Sequence, residues 1–456
     1  MSIKKKIAVA GILAASAWGA FGYFGEEPVE FADTRFNGAY RFTDGSLVSI
    51  GPSTSERLRL MHFDNGDVAS LYYNGGPGFE AAAGFSSRET IAKGAFEYSD
   101  EGVLLGASWE VGGEHAAIRR IPLRSEEMFF ASGELKLRGK LTLPEGEGPF
   151  PVVVLIHGSE SYSAVDYYQW PYLLAANGIA GFKFDKRGTG GSEGEYTQHF
   201  PTLAADVAAA VAKLTAREDI DPGRINLAGF SQGGWIAPLV AKSIPIRSIM
   251  VGFGCAVPVP REDRWGYVKQ LLESGYGESE IAQADAMNAE LDTIIDQGDD
   301  AAWDRLFVLL ERHVDEPWFQ SIVGSDSLLG FVAEKATANG SSWVPAFAWK
   351  LYYRWKRGDG PNFNRGYDPR STLEAIATPS LWLLAGEDSS VPTDETAEIL
   401  GELAAAGKPI EVQVYPGAEH GNVVFSVDEA GERTYTGYVS SYLNDTITWF
   451  RAQNGL

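Results

Sequence analysis

Residues 151–157 read PVVVLIH, a continuous β-branched run that offers no polar position to turn toward water before His157. Alternate side chains of a strand point to opposite faces of a sheet, so a run like this has to be covered on both sides. The runs GIAGFKF, RINLAGF and IRSIMVGF repeat the pattern, and helical stretches around 170–177, 202–216 and 233–242 lie between them. Buried strands separated by amphipathic helices specify a mainly parallel sheet with helices on both faces, hence an α/β fold. The alternating segment ELKLRGKLTLP precedes this block. PSLWLLAG, a helix near 393–406, IEVQVYP and a terminal helix near 436–451 read as the last elements of the same sheet.

Three segments fall outside the alternation. Residues 31–130 carry Asn37-Gly38, Asp44-Gly45, Asn65-Gly66 and Asn74-Gly75 between short apolar or alternating runs, which are hairpin signals and predict a small β-rich N-terminal domain. Residues 258–372 have helical periodicity and many aromatics, including Trp303, Trp318, Trp343, Trp349 and Trp355. An insertion of that size between two strands predicts a helical lid, with most of its aromatics packing its own core. The first 25 residues place Lys4, Lys5 and Lys6 before an apolar run from Ile7 to about Phe24, the order of an export signal. Ala15 and Ala17 suit a cleavage site, whereas Trp18, Phe21 and Tyr23 suit a retained membrane tether; both remain open, and either places the body outside the cytoplasm, periplasmic or extracellular. The domain plan is therefore 1–25, 31–130, 131–257 as the first half of the core, 258–372 as the lid and 373–456 as the second half.

The net charge of -23 repels phosphate backbones, so nucleic acid is not an expected partner. Cys255 is the single cysteine and the six histidines are scattered, leaving no cluster at zinc-ligand spacing. No metal or other cofactor is expected.

Gly229-Phe230-Ser231-Gln232-Gly233 fits G-x-S-x-G, a short pattern in a chain with 52 glycines, and a second copy stands at Gly190-Gly191-Ser192-Glu193-Gly194. Context separates them. Ser231 ends the strand-like RINLAGF and opens the helical QGGWIAPLVAKS, so a strand delivers it into a tight turn at a helix N-terminus. Ser192 is separated from its strand by DKRGTG and is followed by polar EYTQHF. A serine hydroxyl needs an adjacent base that is itself oriented by an acid. Asp388, in GEDSSVP, and His420, in GAEHGN, each follow a strand-like run, and no other histidine lies downstream of both the serine and the acid. Glu387 and Asp394 compete as the acid, Asp394 falling in the first turn of the next helix. An oxyanion needs two N–H donors; Gln232, after the nucleophile, and Ser159, in the loop after PVVVLIH, are the candidates.

The ordered set LKLRGKLTLP, PVVVLIHGS, GIAGFKFDKRGTGGSEG, DIDPGRINLAGFSQGGWIAPLVA, GEDSSVP and YPGAEHG resembles the α/β-hydrolases, more narrowly bacterial exported esterases and hydrolases related to dienelactone hydrolase and prolyl oligopeptidase. It covers roughly half the chain. The resemblance implies an α/β-hydrolase sheet and an acyl-enzyme reaction on a small-molecule carboxylic ester, with Ser231, Asp388 and His420 as the triad and Asp185-Lys186-Arg187-Gly188 as a structural loop. SESYSAVDYY departs from the glycine-rich HGGG form of lipase-type relatives, which leaves the second oxyanion donor open. A peptidase with the same triad and a non-catalytic hydrolase-like binding protein are the alternatives. The sequence sets neither the acyl and alcohol groups nor the oligomeric state.

Overall fold

The structure is a computed structural model that describes residues 34–54, 57–73, 75–338, 364–429 and 433–456. The export segment lies outside the described residues, as do Trp343, Trp349 and Trp355. The chain divides into two compact units, one comprising Cys255–Ser371 and Asp388–Thr396 and the other the remaining described residues.

The larger unit begins with a closed antiparallel barrel of eight strands: β1 (Gly38–Phe42), β2 (Leu47–Thr54), β3 (Arg57–His62), β4 (Val68–Tyr73), β5 (Gly78–Ala83), β6 (Thr90–Tyr98), β7 (Leu104–Val111) and β8 (Glu114–Arg120). Each strand pairs with the next, and β8 returns to β1 through Tyr40 opposite Arg120. The interior is filled by side chains such as Tyr40, Ile50, Leu58, Leu71 and Phe79, and Phe36 stacks on Phe96 at 3.8 Å, as an eight-stranded closure allows. Gly45, Gly66 and Gly75 take positive φ in the turns after β1, β3 and β4, so three of the four sequence signals mark hairpins. Asn37-Gly38 instead leads from the short helix Thr34–Phe36 into β1.

The second layer is an eight-stranded sheet of β9 (Arg124–Ser132), β10 (Leu135–Leu143), β11 (Phe150–Ile156), β12 (Ala180–Phe184), β13 (Ile220–Phe230), β14 (Ser248–Gly252), β15 (Ser380–Ala385) and β16 (Ile410–Tyr415), in the order β16-β15-β14-β13-β11-β12-β10-β9. The strands from β16 to β12 are parallel; β9 and β10 add antiparallel at one edge. Most of β9 lies in the 31–130 segment, yet it pairs along its whole length with β10, so the barrel ends at Arg120. Helices at Trp170–Ala176, Phe200–Thr215, Gly233–Ser243 and Thr393–Ala405 follow the expected alternation. The terminal helix is shorter than its periodicity suggested. It spans Tyr442–Asn454, because RTYTGY alternates and pairs as a strand.

That strand, β19 (Arg433–Tyr438), belongs with β17 (Ala418–Glu419) and β18 (Val423–Val427) to a small sheet that touches the barrel. Phe85 N–H donates to Tyr435 O at 3.3 Å, Tyr438 N–H donates to Gly66 O at 2.8 Å, and Asp67 bridges Gly437. At Gly66, φ is +73° and an added Cβ would lie 2.5 Å from Tyr438 O. Ser49 also donates to Gln169 at 2.9 Å, tying the barrel to the core layer.

In the smaller unit, helices Val259–Glu273, Glu278–Gln297, Asp300–His313, Pro317–Ser321 and Leu328–Ala338 pack around their own core, which includes Tyr267, Leu271, Met287, Trp303, Trp318 and Phe319. Trp303 and Trp318 are thus core residues, as read from the sequence.

Two outcomes are expected from this packing. Gly66→Ala should lower the urea midpoint by the equivalent of about 1–3 kcal/mol, since a left-handed backbone and a backbone clash coincide there; an unchanged midpoint would mean that the barrel and the β19 hairpin do not support each other. Lys183, buried in β12, has its ammonium pushed down from 10.5 to about 7 by burial. The unfolded chain therefore holds a proton between those values that the folded chain has released, and the burial penalty is full below pH 7 and relieved as pH rises toward 10. Urea titrations of wild type and Lys183→Met from pH 7 to 10 should show the wild type gaining stability relative to the variant, and parallel pH curves would refute the assignment.

Candidate active site

β13 ends at Phe230 and the next residue, Ser231, sits at φ +50°, a left-handed conformation uncommon for a residue with a side chain. Ser231 N–H donates to Gly252 O at 3.1 Å, and Gly234 N–H donates to Ser231 O at 2.8 Å. The glycines on either side are required by space. A Cβ at Gly229 would lie 2.4 Å from Gly233 O, and one at Gly233 would lie 2.5 Å from Ile156 O. The helix Gly233–Ser243 starts at once, with Gln232 as its N-cap, so its N-terminal end lies next to Ser231. In the second G-x-S-x-G copy, the Ser192 hydroxyl donates to Asp185 O at 2.8 Å and accepts from Arg138 N–H at 2.9 Å. That hydroxyl is spent on backbone.

His420 follows β17, and its Nε2 lies 3.1 Å from Ser231 Oγ. Both residues are half-buried. The ring of Phe253 meets the imidazole edge-on at 4.9 Å, and Phe253 itself has φ +42° and donates its N–H to Leu383 O at 2.8 Å. Glu419, buried, accepts from the His420 N–H at 2.9 Å and pairs with Arg433. Asn422, at φ +54°, donates to Leu383 O at 3.0 Å. Sequence reasoning missed Phe253, Glu419 and Asn422; only the polar residues crowded around His420 hinted at them.

Among the three acids, Asp388 is 2% exposed, while Glu387 and Asp394 are exposed. Asp388 Oδ1 accepts from the N–H groups of Ser390 and Val391, each at 2.8 Å, and the Trp265 indole donates to Asp388 O at 3.1 Å. Asp394 lies in the first turn of Thr393–Ala405, as expected. Asp388–Thr396 belongs to the helical unit although the sequence plan grouped it with the second half of the core. One residue earlier, within the larger unit, Glu387 N–H donates to Ala418 O at 2.8 Å, two residues before His420.

The loop after β11 lies beside the serine: a Cβ at Gly158 would stand 3.2 Å from Ser231 Cβ. Among the described residues neither Ser159 N–H nor Gln232 N–H donates to a backbone carbonyl outside the regular elements. His157, buried, has its imidazolium pushed down to about 3 by burial, with Lys186 adding to the effect, so it is neutral near pH 7. Its Nδ1 is 3.8 Å from the Glu160 carboxylate, which accepts from the Tyr168 hydroxyl at 2.5 Å. Burial raises Glu160, but His157, Lys186 and Tyr168 outweigh it and hold the carboxyl below its usual range. The loop after β12 is a network, as the resemblance implied. Asp185 accepts from Ser163, Val165 N–H and Gly191 N–H, and Arg187 holds Asp206 through two bonds of 2.8 and 2.6 Å. Among the described residues no group of three or more His, Cys, Asp or Glu could hold a metal ion.

A serine at the end of a parallel strand, with a histidine in hydrogen-bond reach of its hydroxyl, is an arrangement from which an acyl-transfer site can be built. The chain matches the Alpha/beta hydrolase family over residues 153–434. Esterase EstD of Thermotoga maritima is 28% identical over 145 residues, 30% of this chain and 35% of that protein. Thiohydrolase aneE of Aspergillus aculeatus is 35% identical over 112 residues, 24% of this chain and 35% of that protein. The chain thus spans about a third of the length of these relatives. The solved structures that resemble it include the acylaminoacyl peptidase of Pyrococcus horikoshii, with TM-score 0.43, 14% identity, 87% of this chain and 54% of that one. Another is Est1E of Butyrivibrio proteoclasticus with ferulic acid bound, with TM-score 0.42, 15% identity, 72% of this chain and 100% of that one. With the family match running from β11 through the residues around Ser231 and His420 to β19, the chain belongs to the Alpha/beta hydrolase family and has distant esterase homologues.

Proposed function

We propose that the chain is a serine hydrolase that cleaves carboxylic esters through an acyl-enzyme. The observation that carries this reading is the 3.1 Å contact between His420 Nε2 and a Ser231 hydroxyl held at φ +50° on a strand-to-helix turn. The likeness to Esterase EstD supports an ester substrate.

Ser231 Oγ adds to the carbonyl carbon of the ester, its proton passes to His420 Nε2, and the carbonyl π pair moves onto oxygen. The N–H groups of Gln232 and Ser159 meet that oxyanion. Collapse expels the alkoxide, which takes the proton back from Nε2 and leaves as the alcohol, with the acyl group on Ser231. Water then repeats the sequence, giving its proton to His420 and releasing the carboxylic acid and the serine hydroxyl. For Nε2 to accept a proton, the other ring nitrogen must carry hydrogen, and Asp388 is the carboxylate assigned to receive it. What supports Asp388 is its burial, the two N–H groups that orient one of its oxygens, and the Glu387 N–H bond to Ala418 O, one peptide away.

The same proposal makes the helical insertion a lid that chooses among esters. It leaves β14 at its C-terminal end, the end at which β13 delivers Ser231, and ligands of open α/β sheets bind at those ends. Trp265, half-buried in the helix Val259–Glu273, ties this insertion to the Asp388 backbone.

Assays of purified protein on p-nitrophenyl esters and aminoacyl p-nitroanilides test the reading. Ester hydrolysis should exceed anilide hydrolysis, and Ser231→Ala and His420→Ala should each cost about 10⁴ or more in kcat with the fold retained. Asp388→Asn should cost a comparable factor, against less than about 3-fold for Glu387→Gln. Faster cleavage of anilides would make the protein a peptidase, and an inert wild type would leave a binding protein. Trp265→Ala should change the ratio of kcat/KM between butyrate and octanoate esters by about 10-fold; one common factor for all esters would reduce the insertion to a structural cap.

A further inference from the structure

Three successive carbonyls of the loop after β11 are each held by a side chain from the loop after β12. Lys186 Nζ donates to Gly158 O and, at 3.1 Å, to Glu160 O. The Tyr196 hydroxyl donates to the carbonyl between them, Ser159 O. Lys186 is 2% exposed and its direct hydrogen bonds go to peptide oxygens, with the Glu160 carboxylate acting on its charge from farther off. Its ammonium also lies 5.3 Å from the centroid of the Tyr196 ring, so the two donors brace each other.

The planarity of the peptide bond turns this into a statement about donors. Across a trans peptide, the C=O of one residue and the N–H of the next point in opposite directions. Drawing Gly158 O toward Lys186 therefore turns the Ser159 N–H away from Lys186, and the Tyr196 bond to Ser159 O fixes the next peptide, against which the first would have to turn. Gly158 is the loop residue packed against the nucleophile, since an added Cβ there would lie 3.2 Å from Ser231 Cβ and 3.5 Å from Phe230 O. Residues 158–160 contain one glycine, and the conformation is imposed from outside by the two side chains.

We infer that Lys186, assisted by Tyr196, is a positioning residue for the oxyanion hole, fixing the 158–160 peptides so that the Ser159 N–H stays aimed at the oxygen that gains charge when Ser231 attacks. The inference rests on the serine-hydrolase reading above. A donor aimed at developing charge acts mainly in the transition state, so its loosening lowers kcat and leaves KM nearly alone. Burial brings the Lys186 ammonium down to about 8, with Glu160 opposing the shift, which fits a cation retained at a site that does not favour it. A purely structural buttress would instead change stability and would not distinguish ground state from transition state.

The experiment compares wild type, Lys186→Met and Tyr196→Phe on p-nitrophenyl butyrate and on a trifluoromethyl ketone, which adds Ser231 to give a hemiketal whose oxyanion occupies the hole. Lys186→Met should lower kcat by about 10- to 100-fold, less than the loss of a whole donor, keep KM within about 3-fold, and weaken the ketone by the same factor as kcat. Tyr196→Phe, which removes one hydroxyl from a half-buried ring, should move both quantities together by about 3- to 10-fold and decides the matter if Lys186→Met does not fold. Folded variants with wild-type kcat and wild-type ketone affinity overturn the inference alone, as does a fall in kcat with ketone affinity unchanged. A wild type that hydrolyses no ester and forms no Ser231 adduct with a fluorophosphonate overturns the serine-hydrolase reading, and this inference with it.

Discussion

A left-handed backbone at Ser231 costs on the order of 1–3 kcal/mol for a residue with a side chain, and the surrounding chain is arranged to sustain it. β14 supplies Gly252 O to its N–H, the helix starting at Gly233 supplies Gly234 N–H to its carbonyl, and Gly229 and Gly233 remove the two Cβ atoms that would block the turn. A parallel sheet makes this economical, because the ends of β11, β13 and β14 already lie side by side. Phe230 stands opposite Gly252, so shortening β14 by a residue would leave the serine amide without its acceptor.

The polar loops around the serine form a second layer of constraint. Ser231 and His420 are half-buried and reachable, whereas Asp185, Lys186 and Asp206 beneath the neighbouring loops are almost fully buried and fully engaged. Buried polar networks are stable only when each member has its partner, and the DKRG segment meets that condition through Arg187 with Asp206, Asp185 with three donors, and Lys186 with two carbonyls. The rigidity of such a network is what a site built on loops needs in order to hold a geometry within tenths of an ångström.

Legibility in the sequence followed periodicity and local chemistry. PVVVLIH, RINLAGF and PSLWLLAG could only be covered strands, and the strand-serine-helix order separated Ser231 from Ser192 before any geometry was known. Asn-Gly and Asp-Gly pairs announced the hairpins after β1, β3 and β4, but closure of the barrel through Tyr40 and Arg120 depends on pairing between its first and last strands, which no local pattern encodes. For the same reason β9 was misplaced, since its partner β10 decides its layer. The terminal helix expected near 436–451 takes in the last residues of RTYTGY, whose alternation is short and lies next to a helical run. Phe253, Glu419 and Lys186 owe their positions to contacts across elements distant in sequence, and their residue types alone say nothing of those contacts.

The contact between β19 and the barrel also bears on how the protein is made. A barrel whose neighbours along the chain are its pairing partners has local topology and can close as soon as residues 38–120 are available. The loop bearing His420 leaves the ribosome well after residues 38–120, and the hairpin behind it acquires its dock on Gly66 and Phe85 from a domain made earlier. The barrel can thus act as a template awaiting the β18–β19 hairpin, so that His420 takes its place beside Ser231 only once that hairpin has been made.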